Sequence, residues 1–221
     1  MAQKIVVSWK VLVAVALVPM AYWLSLSKSS PAAEGFTVEP KTGITFEQRS
    51  EGLDLLGVGV RVKKIGPIPV KVYAAGLYGG SKRDYAGLTA PKSGKRSLRL
   101  VFARDVGGKT IVDALGSVKK VDENVRETFK TVMLQLLGPT LKRGEQITLS
   151  CPARASSLAV DVLRKSTAKD TTSVHGRDLC DGVFDLFLGP KDPVSPALVA
   201  SVKATLSNTE KGSSSSKKKA S

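Results

Sequence analysis

Gly57-Val58-Gly59-Val60-Arg61-Val62-Lys63, Lys64-Ile65-Gly66-Pro67-Ile68-Pro69 and Val70-Lys71-Val72-Tyr73-Ala74-Ala75-Gly76-Leu77-Tyr78 run consecutively and carry the clearest pattern in the chain. Two stretches of alternating apolar residues flank a short loop rich in Gly and Pro, the signature of a β-hairpin. With the turn centred on Pro67, Arg61 faces Tyr73, Lys63 faces Lys71 and Gly59 faces Ala75. Directly opposed residues share one side of a sheet with Cβ atoms about 5 Å apart. The hairpin therefore has a valine face (Val58, Val60, Val62, Val70, Val72, with Ala74) and a second face carrying Arg61 and Tyr73 beside the small Gly57, Gly59 and Ala75. Pattern alone leaves that second face either to solvent, as in most antiparallel sheets, or beneath a layer of helices. In the covered case, Arg61 has no carboxylate opposite or diagonal to it, and the small residues leave a hollow. A guanidinium beside a phenol hydroxyl then becomes a receptor for a carboxylate or phenolate, with an apolar body lodged among Leu, Phe and Val.

Outward from the hairpin, Ser97–Arg104, Gln146–Cys151 and Ser157–Leu163 alternate as strands, and Thr171–Val174 does so more weakly. Helical spacing marks Asp122–Leu137 and Arg177–Leu188, the latter stopped by Gly189-Pro190. Ser195-Pro196 opens a last helix through Ala197–Leu206, with serine as its cap. Strands first and helices mostly later predict an α+β domain on an antiparallel sheet rather than a βαβ alternation. The domain is expected over residues 38–207.

The chain has 221 residues with a net charge of +15. Residues 1–38 hold three Lys and one Glu and residues 208–221 four Lys and one Glu, so most of the excess lies on the domain. Such a surface attracts anions and acidic lipid. Aromatic residues make up only 5%, which speaks against base stacking, and no nucleic-acid partner is expected. One histidine and two cysteines, without CxxC or HExxH, fall short of a metal site. Gly107-Gly108-Lys109-Thr110 lacks the spacing of a phosphate loop, and no GxGxxG follows a strand, so no cofactor is expected. His175 reads as a loop residue, Cys151 and Cys180 as two buried thiols, Tyr78 and Tyr85 as structural aromatics, and Lys63 and Lys71 as solvated or rim lysines.

Val11–Ser27 is free of charge, with Lys4 and Lys10 before it, Lys28 after it, and Trp9 and Trp23 towards its ends. As a helix its 17 residues would reach about 25 Å, the short end of a bilayer span. Residues 1–28 read as a membrane anchor or a cleaved secretory signal peptide, residues 29–37 as a linker, and residues 208–221 as a disordered Ser/Lys tail. Membrane contact through this N-terminal segment is expected, in a membrane-anchored or secretory-pathway location.

Gly57-x-Gly59-x-Arg61-x-Lys63 with Val70-Lys71-Val72-Tyr73-Ala74-x-Gly76-Leu77-Tyr78 resembles the chalcone isomerase family, closest to its chalcone isomerase-like, fatty-acid-binding branch. Glu39-Pro40-Lys41-Thr42-Gly43-Ile44-x-Phe46, the strand–helix stretch Leu98–Leu115, and Gly182–Gly189 leading into Asp192-Pro193-Val194-Ser195-Pro196 agree with it. The resemblance implies an open-faced β-sandwich, a large antiparallel sheet with helices layered on one face and the ligand between them. It implies that Arg61 and Tyr73 hold a fatty-acid carboxylate without catalysis. The alternative it carries is a chalcone-flavanone isomerase, an intramolecular lyase in which Arg61 is the catalytic arginine steadying a phenolic substrate. Against that enzyme, Tyr73 stands where the isomerases have threonine. Lys109 and Gly116 fall at the positions of their tyrosine and asparagine, and Leu186 replaces a hydroxyl residue. The resembling plant proteins work in plastids, so a plastid or endomembrane compartment is also implied.

Overall fold

The computed structural model describes residues 35–80, 94–153, 156–166 and 169–217, with side chains described as far as Asn208. The apolar leader, most of the linker and Tyr85 lie outside the described residues. In chain order the elements are β1 (Phe36–Val38), β2 (Thr45–Glu47), β3 (Arg49–Ser50), β4 (Leu53–Ile65), β5 (Ile68–Gly79), β6 (Arg96–Phe102), β7 (Val106–Gly107), α1 (Gly108–Leu115), α2 (Glu123–Leu137), β8 (Thr140–Leu141), β9 (Gln146–Cys151), β10 (Ser157–Leu163), β11 (Asp170–His175), α3 (Leu179–Leu188) and α4 (Pro196–Lys217). Seven strands form one open antiparallel sheet in the order β11-β10-β9-β6-β5-β4-β3. The α+β class and the one-sided helical layer expected from the sequence are what the chain adopts.

All four helices place buried residues in one core against one sheet face: Ile111 and Leu115 from α1, Phe129 and Met133 from α2, Val183 and Phe187 from α3, Leu198 and Val202 from α4. Their sheet partners include Leu77, Leu98, Leu100, Leu149 and Val160. Each fully buried Leu or Phe among them contributes about 1.5–3 kcal/mol. A smaller cluster on the other side gathers Phe46, Leu55, Val58, Ala74, Tyr78 and Val101. There Phe46, from the β1–β2 hairpin, lies against bare backbone: a methyl on Gly76 would stand 2.6 Å from its Cδ1.

Helix ends follow their capping chemistry. The Asp122 carboxylate accepts from the N–H groups of Asn124 (2.9 Å) and Val125 (3.3 Å) at the start of α2. Ser195 caps α4 by accepting from Leu198 N at 3.3 Å, and its hydroxyl also donates to Val60 O at 3.0 Å. Beyond its short pairing with β3, β4 is a sheet edge whose outward polar groups need partners. Helix α4 supplies them: Ser201 Oγ accepts from Val58 N at 3.1 Å while Ser195 serves Val60. The helix continues to Lys217, past the end expected at Leu206 and into the Ser/Lys run.

Three expectations change. Cys151, ending β9, and Cys180, in the first turn of α3, are not separate thiols but a disulfide, their Cα atoms 6.0 Å apart. His175 is the exposed last residue of β11, paired with Ser157, rather than a loop residue. The valine face is not continuous. Val62 is exposed, and Val72 packs on the helix side because a bulge interrupts the register next to it.

Candidate functional site

The β4–β5 hairpin turns through Gly66-Pro67 between the paired Ile65 and Ile68. Gly66 takes φ +59°, the positive φ a two-residue hairpin loop asks of its first central residue. From the tip the pairs run Lys64↔Pro69, Lys63↔Val70 and Val62↔Lys71, then shift by one residue at Val72, and continue Arg61↔Tyr73, Val60↔Ala74 and Gly59↔Ala75. Arg61 thus faces Tyr73 as expected. Lys63 faces Val70 and not Lys71, because the turn is centred between Gly66 and Pro67 rather than on Pro67; the bulge at Val72 then restores the expected pairing from Arg61 onward. Both lysines are exposed.

Tyr73 is 7% exposed, its ring 5.8 Å edge-on to Phe102 and 6.5 Å from that of Phe187. Arg61 is half-buried and donates from Nη1 to Val194 O at 2.6 Å. Among the described residues no carboxylate pairs with Arg61, and the Tyr73 hydroxyl makes no hydrogen bond. That hydroxyl is not one of the fully enclosed unpaired polar atoms, which are Tyr78 Oη and Arg96 Nε; it keeps an opening to its surroundings. Burial pushes the Tyr73 phenol well above its usual 10.0, and the nearby Arg61 charge opposes this only in part. The phenol is neutral at physiological pH and therefore a donor.

The expected hollow over Gly57 and Gly59 is not there. Those two glycines are where α4 crosses β4: a methyl on Gly57 would stand 2.7 Å from Val202 N, and one on Gly59 2.5 Å from Leu198 Cα. Small residues at that face serve close backbone approach, and Ala75 is fully buried in the core. A cleft of about 320 Å³ lies elsewhere, lined among others by Lys41, Ile44, Lys71, Phe102, Arg143 and Gly144. It shares Phe102 with the Tyr73 environment, and sequence reasoning missed it because its walls come from four segments far apart in the chain.

Residues 33–201 match the chalcone isomerase-like family. The chain belongs to that family. Among solved structures, a fatty-acid-binding protein of Arabidopsis thaliana superposes with a TM-score of 0.63 at 20% identity, covering 78% of this chain and 98% of that one. No curated protein matches the sequence. Within this chalcone isomerase-like domain, the positions that resemblance assigns to the isomerases' tyrosine and asparagine carry no equivalent group. Lys109 points outward to Asp113, with Nζ 3.0 Å from Oδ2, and Gly116 closes α1 with its N–H on Val112 O. Gly108, in the stretch that mimics a phosphate loop, donates its N–H to Pro139 O and starts α1.

The raised Tyr73 phenol has a consequence at alkaline pH. Below pH about 10 the phenol is neutral in both the folded and the unfolded chain; above it the unfolded chain ionises first. Stability is therefore lost as pH rises. The expected result is a smaller drop in urea-unfolding free energy between pH about 9 and about 11 for Tyr73→Phe than for the wild type. Tyr78, also raised by burial, adds to the drop in both proteins. An equal drop in both proteins contradicts the assignment.

Proposed function

We propose that this domain binds a fatty acid without transforming it, Arg61 and Tyr73 holding the carboxylate. One observation carries the reading: a guanidinium without a carboxylate partner stands in register with a neutral, unbonded phenol, half-sheltered between sheet and helices. Nη1 is taken by Val194 O, and the remaining guanidinium N–H groups and the Tyr73 O–H suit a carboxylate. Membership of the chalcone isomerase-like family and the likeness of fold to a fatty-acid-binding protein support a small lipid ligand. Titration of the full chain with laurate or palmitate is expected to saturate. Arg61→Ala is expected to weaken binding about tenfold to a hundredfold, the value of a hydrogen bond to a charged group. Absence of saturable binding, or an unchanged affinity in Arg61→Ala, overturns the proposal.

To this reading we add the proposal of an oxidising, secretory or membrane-associated compartment. The Cys151–Cys180 disulfide supports this, and so does the apolar segment Val11–Ser27, read as an anchor or signal. Among the described residues no helix is long and apolar enough to cross a membrane.

A further inference from the structure

One end of the seven-stranded sheet gathers the β4–β5 tip and the turns that follow β6, precede β9 and follow β10, as the antiparallel registers require. At the tip Ile65 is 58% exposed and Ile68 63%, side by side across the Gly66-Pro67 turn. Beside them Pro69 has no N–H to offer the edge. Lys63 and Lys64 flank them on β4, and Arg104 and Arg143 stand on the turns at the same end of the sheet, all four exposed and without an ion pair among the described residues. The carboxylates of the neighbouring turns are already engaged: Asp105 accepts from Lys142 Nζ and Arg143 N, and Glu145 from Lys142 N beside Arg164. The opposite end of the sheet is neutralised by pairs such as Arg49–Asp54 and Lys95–Glu51. An apolar prow inside a collar of unpaired cations has the chemistry that anionic lipid bilayers attract, apolar side chains entering below the headgroups and each nearby cation adding its share.

We infer that the β4–β5 hairpin tip is a membrane-docking element that seats this end of the sheet on an anionic lipid surface, Ile65 and Ile68 entering the interface and Lys63, Lys64, Arg104 and Arg143 facing the headgroups. The pairing continues along the hairpin from Ile65↔Ile68 through Lys63↔Val70 to Arg61↔Tyr73, so the docked strands are the ones that carry the proposed ligand site. The inference stands apart from the ligand reading, since a chain that takes laurate from solution without touching vesicles keeps one and loses the other.

Ile68→Cys in the full chain provides one free thiol, the two native cysteines being joined to each other, and accepts an environment-sensitive fluorophore. Vesicles of equal parts phosphatidylcholine and phosphatidylglycerol are expected to shift its emission to the blue. Pure phosphatidylcholine is expected to leave it unchanged, and high salt to reverse the shift. The same label at Lys95→Cys, at the opposite end, is expected to remain aqueous. Adding Lys63→Gln and Lys64→Gln to the Ile68→Cys chain is expected to raise the lipid concentration at half-signal roughly thirtyfold. Co-sedimentation with the Ile68 label still aqueous overturns the inference, since another segment then makes the contact. So does an equal shift at Lys95, an unchanged midpoint in the lysine variant, or a blue shift that grows with protein concentration without vesicles, which assigns the tip to a second copy of the chain.

Discussion

Replacing Cys151 and Cys180 together by alanine is expected to lower the free energy of unfolding by about 3.5 kcal/mol. The bond joins residues 29 apart in sequence, and a loop of that size loses several kcal/mol worth of freedom in the unfolded chain. Its position magnifies the effect. Cys151 ends β9 in the middle of the sheet, and Cys180 lies in the first turn of α3. The far end of that helix carries Phe187, whose ring lies 6.5 Å from that of Tyr73. Loosening the first turn thus weakens the packing that shelters the Tyr73 hydroxyl, so laurate affinity is expected to fall with stability. Two measurements check this: urea unfolding of wild type against the double variant, and alkylation followed by mass spectrometry. In the second, wild-type chain is expected to take up no alkylating reagent until it is both denatured and reduced. Uptake under denaturing conditions without reductant means that the two sulfurs are not bonded.

That bond was not legible in the sequence, for a physical reason. Disulfide formation depends on Cα separation and direction, and the two cysteines stand on elements whose approach is set by packing of α3 on the sheet. The hairpin, by contrast, was legible as two paired strands around a Gly-Pro turn, because period-2 alternation and turn residues mark both. Arg61↔Tyr73 and Gly59↔Ala75 are met because a bulge at Val72 offsets a turn centre placed half a residue too far along. The count fails at Lys63 because the turn holds two residues, Gly66 and Pro67, and is not centred on Pro67; alternation also carries no mark of the bulge, since Val72 reads as one more valine in the row. The short strands β1, β2, β3, β7 and β8 escaped as well, since two or three residues carry no period. Gly57 and Gly59 were noticed for the right property and assigned the wrong consequence. Absence of a side chain reads as space when only the sheet is in view, and becomes a crossing point once α4 is laid on it. The same blindness hid the role of Ser195, whose cap is visible in Ser-Pro but whose hydrogen bond to Val60 O needs the edge of β4 in place.

Gly59→Ala is accordingly expected to cost about 3 kcal/mol or more, at the top of what overpacking a well-filled core produces. The added methyl would meet backbone, 2.7 Å from Ala197 C and nearer to Leu198, and backbone has no rotamer by which to give way. Relief requires α4 to lift from β4. Lifting breaks the Ser195–Val60 and Ser201–Val58 hydrogen bonds together and exposes Leu198 and Val202. It also draws Val194 away from Arg61, because Val194 immediately precedes the cap of that helix. Stability and laurate affinity are therefore expected to fall in one variant, although residue 59 carries no group that binds anything. Gly80→Ala is the matched control, since among the described residues a methyl there meets nothing within 4 Å, and its unfolding free energy is expected to stay within about 1 kcal/mol of wild type. If urea unfolding finds Gly59→Ala as stable as Gly80→Ala, α4 does not rest on β4 at that point, and the sheltered Arg61–Tyr73 pair loses the wall that α4 and the residues before it provide.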